Sequence, residues 1–297
     1  MLLALLIPLS LAVLLFSFVL LRSAVRQRVV PNLEALVVGA VVCFFDTLGI
    51  GSFAPTAAWL KFRKLVPDRL IPQTMLVGLT PPSIAEAIIF LVLLGGLVDA
   101  PLLVGCVLAL LLGGLVGVPL VTRARVWVVQ FVVGMALVIA AIAYAMTNLH
   151  LFPGGGTASS LPLTLLIIAI IANFIFGVLV NFGVGNFAPS LVMFGLMGLD
   201  PRYAFPIMAG GAALMGAAAS TRHIQIGKID LRIVLGLAIG GIPAVLVAAL
   251  IVKSMPVETL RWLVIVVVLY AAVVMFRAAA LGRREHQPEG ATAPVLD

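Results

Sequence analysis

The sequence predicts an all-α, polytopic membrane protein: an N-terminal helix, then two inverted repeats, each a broken or re-entrant helical hairpin followed by three transmembrane helices. Hydrophobic residues fill 63% of the 297 positions and charged residues only 10%, whereas soluble domains average roughly 25% charged residues. Apolar runs recur along the whole chain, without the short alternating segments of a transmembrane barrel. An internal repeat of glycines and prolines is the third observation.

Residues 1–32 are predicted to form one transmembrane helix and a basic loop. The apolar run from Leu2 to Leu21 has neither a positively charged start nor a small-residue cleavage pattern, so it does not resemble a signal peptide. Arg22, Arg26 and Arg28 follow it. Because cytoplasmic loops hold the excess of basic residues, we expect this helix to start outside and to end in the cytoplasm.

The repeat divides the rest of the chain. A shift of 134 positions superimposes Gly49 on Gly183, Gly51 on Gly185, and the Phe-Ala-Pro that follows each pair. Chance similarity between apolar segments would not align glycines and prolines in this way. We therefore predict repeat 1 at residues 33–150, a linker at 151–160, repeat 2 at 161–281, and a disordered cytoplasmic tail at 282–297.

Each repeat opens with a long apolar segment that glycines interrupt, "TLGIGSFAPT" (47–56) in the first and "NFGVGNFAPS" (181–190) in the second. As one helix the first segment, 33–66, would reach roughly 50 Å, against a hydrocarbon core of about 30 Å. Split at the glycines, its two arms reach only about 22–24 Å each. Each arm passes the midplane, but neither comfortably crosses.

The basic residues favour hairpins over single crossings. If both broken segments cross once, the 18 Lys and Arg divide nine against nine between the two faces. If both segments return to the face that they entered, the division is fifteen against three, with Arg202, Lys253 and Arg261 on the poorer face. The second division fits a cytoplasmic excess, and an odd number of crossings per repeat inverts the second. One observation counts against a re-entrant second segment: its first arm, 162–182, is long enough to span the membrane.

Non-helical backbone is tolerated at membrane depth only where it is buried in protein or lines a polar cavity. Half-helices would begin at Ser52 and Asn186, and a helix N-terminus with glycine beside it suits an anion. We therefore expect a small anionic substrate between the two breaks. The predicted substrate-binding residues are Gly49, Gly51, Ser52, Phe53, Pro55, Thr80, Ser83, Asn181, Gly183, Gly185, Asn186, Phe187 and Pro189.

Asp46 and Glu86 are the carboxylates set well inside apolar segments, and both are candidates for carrying a coupling proton. Asp46 can instead hydrogen-bond the break, and Glu86 can face an aqueous vestibule. Cys43 and Cys106 lie far apart and no Cys/His cluster exists, so we expect no metal and no cofactor. The net charge of +7 lies in loops and is not taken as a nucleic-acid signal.

At these residues the sequence resembles the sulfite exporter TauE/SafE family, also called the toluene-sulfonate uptake permease family. "GIGSFAP" with "PQTMLVG" fits in repeat 1, and "GVGNFAP" with "FPIMAGGAALMG" fits in repeat 2, over roughly residues 33–281. The family's third and fourth glycines are replaced by Ser52-Phe53 and Asn186-Phe187. The resemblance implies a permease for sulfur-containing or related organic anions in a bacterial inner membrane, without a cofactor.

Two other functional classes stay open. An intramembrane enzyme is one, although the chain contains no HExxH or GxSxG motif. A non-transporting assembly partner is the other. Besides its substrate, we expect the lipid bilayer as a partner and no nucleic acid, and the oligomeric state, including a homodimer, is left open.

Overall fold

The computed structural model describes residues 2–49, 51–67, 70–121, 125–149, 156–180, 185–226 and 229–285. Within these ranges the chain is helical apart from its loops and one isolated bridge between Ala158 and Leu199. The helices are α1 (Leu2–Arg26), α2 (Leu33–Thr47), α3 (Phe53–Phe62), α4 (Ile71–Leu93), α5 (Ala100–Val121), α6 (Val126–Asn148), α7 (Leu163–Val180), α8 (Phe187–Leu196), α9 (Pro201–Ile226), α10 (Leu231–Ser254) and α11 (Val257–Glu285). The predicted all-α class is confirmed.

The order of helix lengths repeats along the chain. The pair α2 and α3 precedes three long helices, α4 to α6, and the pair α7 and α8 precedes α9 to α11. Seven of the described helices, α4 to α7 and α9 to α11, are long and apolar enough to cross a membrane. With 15 residues, α2 reaches only about 22 Å, whereas α7 has the length of a span.

Large apolar side chains cover the outside of the bundle. Leu14, Val132 and Ile171 are each more than half exposed, and similar exposed residues lie along α1, α6, α10 and α11. Contiguous apolar surface of this extent is rare on soluble monomers and normal where helices face lipid. Together with the spans, it makes the chain a multi-pass membrane protein.

Helices of the two halves pack against each other in reciprocal pairs. The first short arm, α2, lies along α10, and its counterpart α7 lies along α5; α4 packs on α9 and α6 on α11. Glycines permit the close approach, because a Cβ at Gly240 would collide with the carbonyl of Leu36, and one at Gly177 with the carbonyl of Leu110. Small residues at such crossings let backbones pack closely.

Each broken segment begins and ends at the same place in the fold. At the start of α2, Glu34 accepts hydrogen bonds from Trp59 Nε1 at 3.0 Å and from Arg63 Nε at 2.7 Å, both near the end of α3. The second segment is closed by backbone bonds, because Asp200 N–H donates to the carbonyl of Ala158 at 3.0 Å. In each pair, the start of the first helix thus lies near the end of the second.

The structure differs from the sequence prediction at two places in the second half. Helix α11 continues to Glu285, so the first four residues of the predicted tail are helical, and residues 286–297 lie outside the described residues. In the predicted linker, residues 156–160 are described, and Ala158 is paired with Leu199.

Candidate functional site

The first break depends on two glycines in a left-handed conformation. Helix α2 ends at Thr47, and α3 begins at Phe53. Between them Gly49 has φ 96° and Gly51 has φ 91°. These angles strain any residue with a Cβ, which explains the spacing of the two glycines in the motif.

Ser52 occupies the N-cap position of α3, as predicted, but its side chain makes no capping hydrogen bond. Its hydroxyl donates instead to Asp46 Oδ2 at 2.7 Å, so the carboxyl group lies at the N-terminus of α3. A carboxyl group at a helix N-terminus is favourable, because the helix dipole is positive there. The first break therefore carries its own acidic cap.

The second break has a different partner set. Asn181 and Gly183, both predicted to bind substrate, lie outside the described residues. Asn186 is the N-cap residue of α8, again without a side-chain cap bond, and its Nδ2 donates to the carbonyl of Met208 in α9 at 3.3 Å. One turn later Ser190 is fully buried, and its hydroxyl has no hydrogen-bond partner in the part of the chain that is described.

The first break lies against the half-helix that follows the second. A Cβ placed on Gly49 would stand 3.0 Å from the side chain of Leu191 in α8 and 3.3 Å from that of Val267 in α11. A Cβ on Gly51 or on Gly185 would meet no heavy atom within 4 Å, judged on the described residues. These two glycines thus border open space, which leaves room for a small molecule.

The aromatic and proline residues of the two motifs have unequal environments. Pro55 and Pro189 both lie in the first turn of their half-helices, as predicted, where a missing N–H does little harm. Phe53 is 47% exposed, whereas Phe187 is partly buried against the core. Phe53 therefore faces away from the protein interior for about half of its surface.

The buried Glu86 and the partly buried Asp46 lie within electrostatic reach of each other. Glu86 is 2% exposed, and its Oε1 has no hydrogen-bond partner among the described residues. Asp46 is near enough to act on Glu86 electrostatically, and both act on Cys43 of α2. The sequence places these carboxyl groups forty residues apart and gave no reason to pair them.

Among the described residues, the hydrogen bonds of Thr80 and Ser83 go to partners other than the breaks. Each hydroxyl donates to a carbonyl of its own helix, that of Leu76 or of Leu79, and Thr80 also shares a 2.8 Å hydrogen bond with Ser220 of α9. The helix α4 runs unbroken through Pro81 and Pro82. These hydroxyls hold α4 and its contact with α9.

The surface pair that closes the first hairpin also has an electrostatic effect. Hydrogen bonds from Arg63 lower the pKa of Glu34, and the same bonds raise the pKa of Arg63. Within the described residues, no three His, Cys, Asp or Glu side chains stand together as metal ligands would.

The comparison with family models bears on the second half, which contains the α7 and α8 hairpin and the three helices that follow. Residues 165–296 match the family model Sulfite exporter TauE/SafE. The resemblance predicted from the motifs is thus confirmed for this part of the chain. Comparison with curated proteins and comparison with solved structures each gave no significant match.

The family match agrees with a membrane transporter of the sulfite exporter type. It covers the break before α8 and not the break before α3. For the first half, the resemblance rests on the repeated motif and on the repeated order of helix lengths.

Proposed function

We propose that this protein is a secondary transporter that moves a small sulfur-containing or organic anion, of the sulfite or sulfonate class, across a bacterial inner membrane. The observation that carries the proposal is the pair of glycine breaks. They interrupt two hairpins inside a helical membrane protein, and a glycine of each break borders open space. Such breaks recur at the substrate sites of secondary transporters.

The anion is bound between the breaks, and the N-terminus of α8 is its main binding element. A helix N-terminus carries about half an elementary positive charge. Among the described residues, no carboxyl group binds the N-terminus of α8. At the N-terminus of α3 the Asp46 carboxyl already binds Ser52. Because no Lys or Arg belongs to either motif, neutral donors hold the anion and also permit its release.

Both hairpins are re-entrant, and the two repeats have opposite orientations, with the N-terminus outside and the C-terminus in the cytoplasm. The fifteen-to-three division of basic residues supports this arrangement. The hydrogen bonds that join the two ends of each hairpin support it independently. The reciprocal packing of α2 on α10 and of α7 on α5 is the pattern that a pseudo-two-fold axis would produce.

Transport is coupled to protons through Glu86 and Asp46. Ionisable groups buried at membrane depth are expensive, and they commonly serve ion pathways or proton relays. Both groups belong to the first half, and the positions 134 further on are Ser220 and Val180. One half thus holds the proton carriers, while the other holds the freer anion site.

Reconstitution tests the function directly. Purified protein in proteoliposomes should take up labelled sulfite or a sulfonate and release the compound unchanged. A pH gradient across the vesicle membrane should drive that uptake. A chemically altered product would indicate an intramembrane enzyme. No uptake of any sulfur oxyanion, sulfonate or carboxylate would favour an assembly partner. A thermal-unfolding screen of the same compounds identifies the substrate class, because binding to the folded state raises stability.

Cysteine labelling tests the topology. In a variant without Cys43 and Cys106, single cysteines at positions 64 and 124 should both react with an impermeant reagent from the cytoplasmic side only. Labelling of position 64 from outside would exclude a re-entrant first hairpin.

A further inference from the structure

A second group of polar side chains lies where α6 and α8 end and α11 begins. Tyr144 of α6 is 1% exposed, and its hydroxyl has no hydrogen-bond partner among the described residues. Asn148 follows one turn later on the same face, and its Nδ2 is likewise buried without a partner. Two buried donors that lack acceptors are costly, and here they are neighbours.

Positive charge lies beside these donors. Arg261 of α11 donates from Nη2 to the carbonyl of Gly156 at 3.1 Å and acts electrostatically on Tyr144. Asp200 also acts on Tyr144, but Arg202 binds its carboxylate at 2.7 Å. The one carboxylate that acts on Tyr144 is therefore already paired with Arg202. Glu258, in the first turn of α11, is exposed.

We propose that Tyr144, Asn148 and Arg261 form an anion site, separate from the helix breaks, which binds a small oxyanion. A hydroxyl, an amide N–H and a guanidinium can each donate to a different oxygen of one pyramidal or tetrahedral anion. We call these three residues the Tyr144 cluster. Binding at this cluster requires only that an oxyanion reaches it, whereas its role in transport rests on the proposed function.

The position of the Tyr144 cluster at the far end of α8 suggests its role in transport. A Cβ on Gly195, near the C-terminal end of α8, would collide with the Tyr144 ring. The N-terminus of the same helix is the proposed substrate site, and ten residues of helix separate the two by about 15 Å. In the proposed topology Arg202 and Arg261 are outside. The cluster is thus an outer relay site, which an anion occupies before or after its passage along α8.

Two sources could supply the oxyanion, namely a free anion or the phosphate of a lipid headgroup. Tyr144 is enclosed by α6, α8 and α11, and its exposure of 1% leaves no lipid-facing hydroxyl. The structure therefore favours a small free anion.

Calorimetry with sodium sulfite and sodium sulfate as probes tests the cluster on the full-length protein in detergent. The background variant is Val180→Asp, in which binding at the breaks is expected to fall about 100-fold. Adding Tyr144→Phe and Asn148→Leu should weaken the remaining binding at least tenfold, and Arg261→Gln should do the same. Tyr270→Phe and Arg277→Gln, two exposed positions on α11, are matched controls that should leave it unchanged.

The outcomes separate this inference from the proposed function. Unchanged anion affinity in folded Tyr144→Phe/Asn148→Leu protein overturns the cluster, and so does a wild-type protein that binds neither probe. If Arg261→Gln does not fold, Arg261→Lys keeps the charge and loses the planar fork. Sulfite binding at the cluster without any transport supports the cluster and contradicts the transporter. Nanodiscs with phosphatidylglycerol in place of phosphatidylcholine report the lipid source: stabilisation that needs the cluster and the anionic lipid, without sulfite binding, overturns the free-anion site.

Discussion

The two breaks share the pattern Gly-x-Gly-x-Phe-Ala-Pro and differ in what meets the half-helix that follows. At the first break, Asp46 accepts a hydrogen bond from the hydroxyl of Ser52. At the second, the position equivalent to Asp46 is Val180, and Asn186 donates its amide to the carbonyl of Met208. Among the described residues, an acidic group caps the half-helix after the first break, and no acidic group caps the half-helix after the second.

Their surroundings differ as well. Helix α8 is buried along nearly its whole length and lies against α6, α9 and α11, whereas α3 contacts mainly α2 and α4 and leaves Phe62 79% exposed. A repeated motif therefore does not mean a repeated task. The first break contains Asp46, which is within electrostatic reach of Glu86, and the second is the place where we propose that the anion binds. The following predictions test this division.

The largest effect is expected from making the breaks alike. Val180→Asp places a carboxyl group where the first break has Asp46, and it should compete with the substrate for the N-terminus of α8. We expect a loss of anion affinity and uptake of about 100-fold, which corresponds to roughly 2.7 kcal/mol. Val180→Asn has the same size without the charge and is the control. Equal uptake by the two folded variants would mean that the N-terminus of α8 does not bind the anion.

The next effect concerns the acids of the first half. Glu86→Gln removes the titratable group while keeping its shape, so proton-driven uptake should slow about tenfold, or by about 1.4 kcal/mol in the barrier. Anion affinity should change little. Glu34→Gln, at the start of α2, removes an acidic group outside the proposed proton pathway and is the control. If the pH dependence of uptake in the Glu86 variant matches that of the wild type, Glu86 has no part in coupling.

A smaller difference should separate the two cap residues. Asn186→Ala should weaken anion binding about 5- to 10-fold, which is about the net contribution of one hydrogen bond. Ser52→Ala should weaken it by no more than about 2-fold, because that hydroxyl is bonded to Asp46. Calorimetry on both variants measures the two anion affinities. A larger effect at Ser52 would reverse the assignment, and wild-type affinity and transport in the folded double variant would remove the site from the breaks.

The smallest effect is one of stability. Gly51→Ala forces a Cβ into a left-handed backbone and should lower the free energy of unfolding by about 1–2 kcal/mol. No such φ is found at Gly185, and Gly185→Ala should stay within about 0.5 kcal/mol of the wild type. Thermal unfolding in detergent measures both. Equal destabilisation by the two changes would indicate that the breaks have the same backbone strain.

The breaks, the helix boundaries beside them and the repeat could be predicted because glycine and proline act locally. Gly49 and Gly51 have the left-handed angles that a tight interruption needs, and Pro55 sits in the first turn that its missing N–H permits. The all-α class followed from composition and apolar run length alone.

The sequence did not reveal contacts that depend on tertiary packing. The bond between Asp46 and Ser52 spans only six positions, and a carboxylate shortly before a glycine break followed by serine is a pattern that could have indicated it. No local pattern links Thr80 to Ser220, 140 positions away, or Tyr144 to Arg261. Thr80 and Ser83, which stay predicted substrate-binding residues, each donate to a carbonyl of their own helix, a local bond that Ser and Thr commonly make in helices.

The reciprocal packing of the two halves has a consequence for biosynthesis. The first hairpin leaves the ribosome long before α10, the helix along which α2 lies, so its interrupted backbone must wait in the bilayer without its final neighbour. The second hairpin is made after α5, its own neighbour, is already in place. The bond between Asp46 and Ser52 joins residues six positions apart, so it can form before α10 is made. The order of synthesis thus gives a reason why two copies of one motif carry unequal caps.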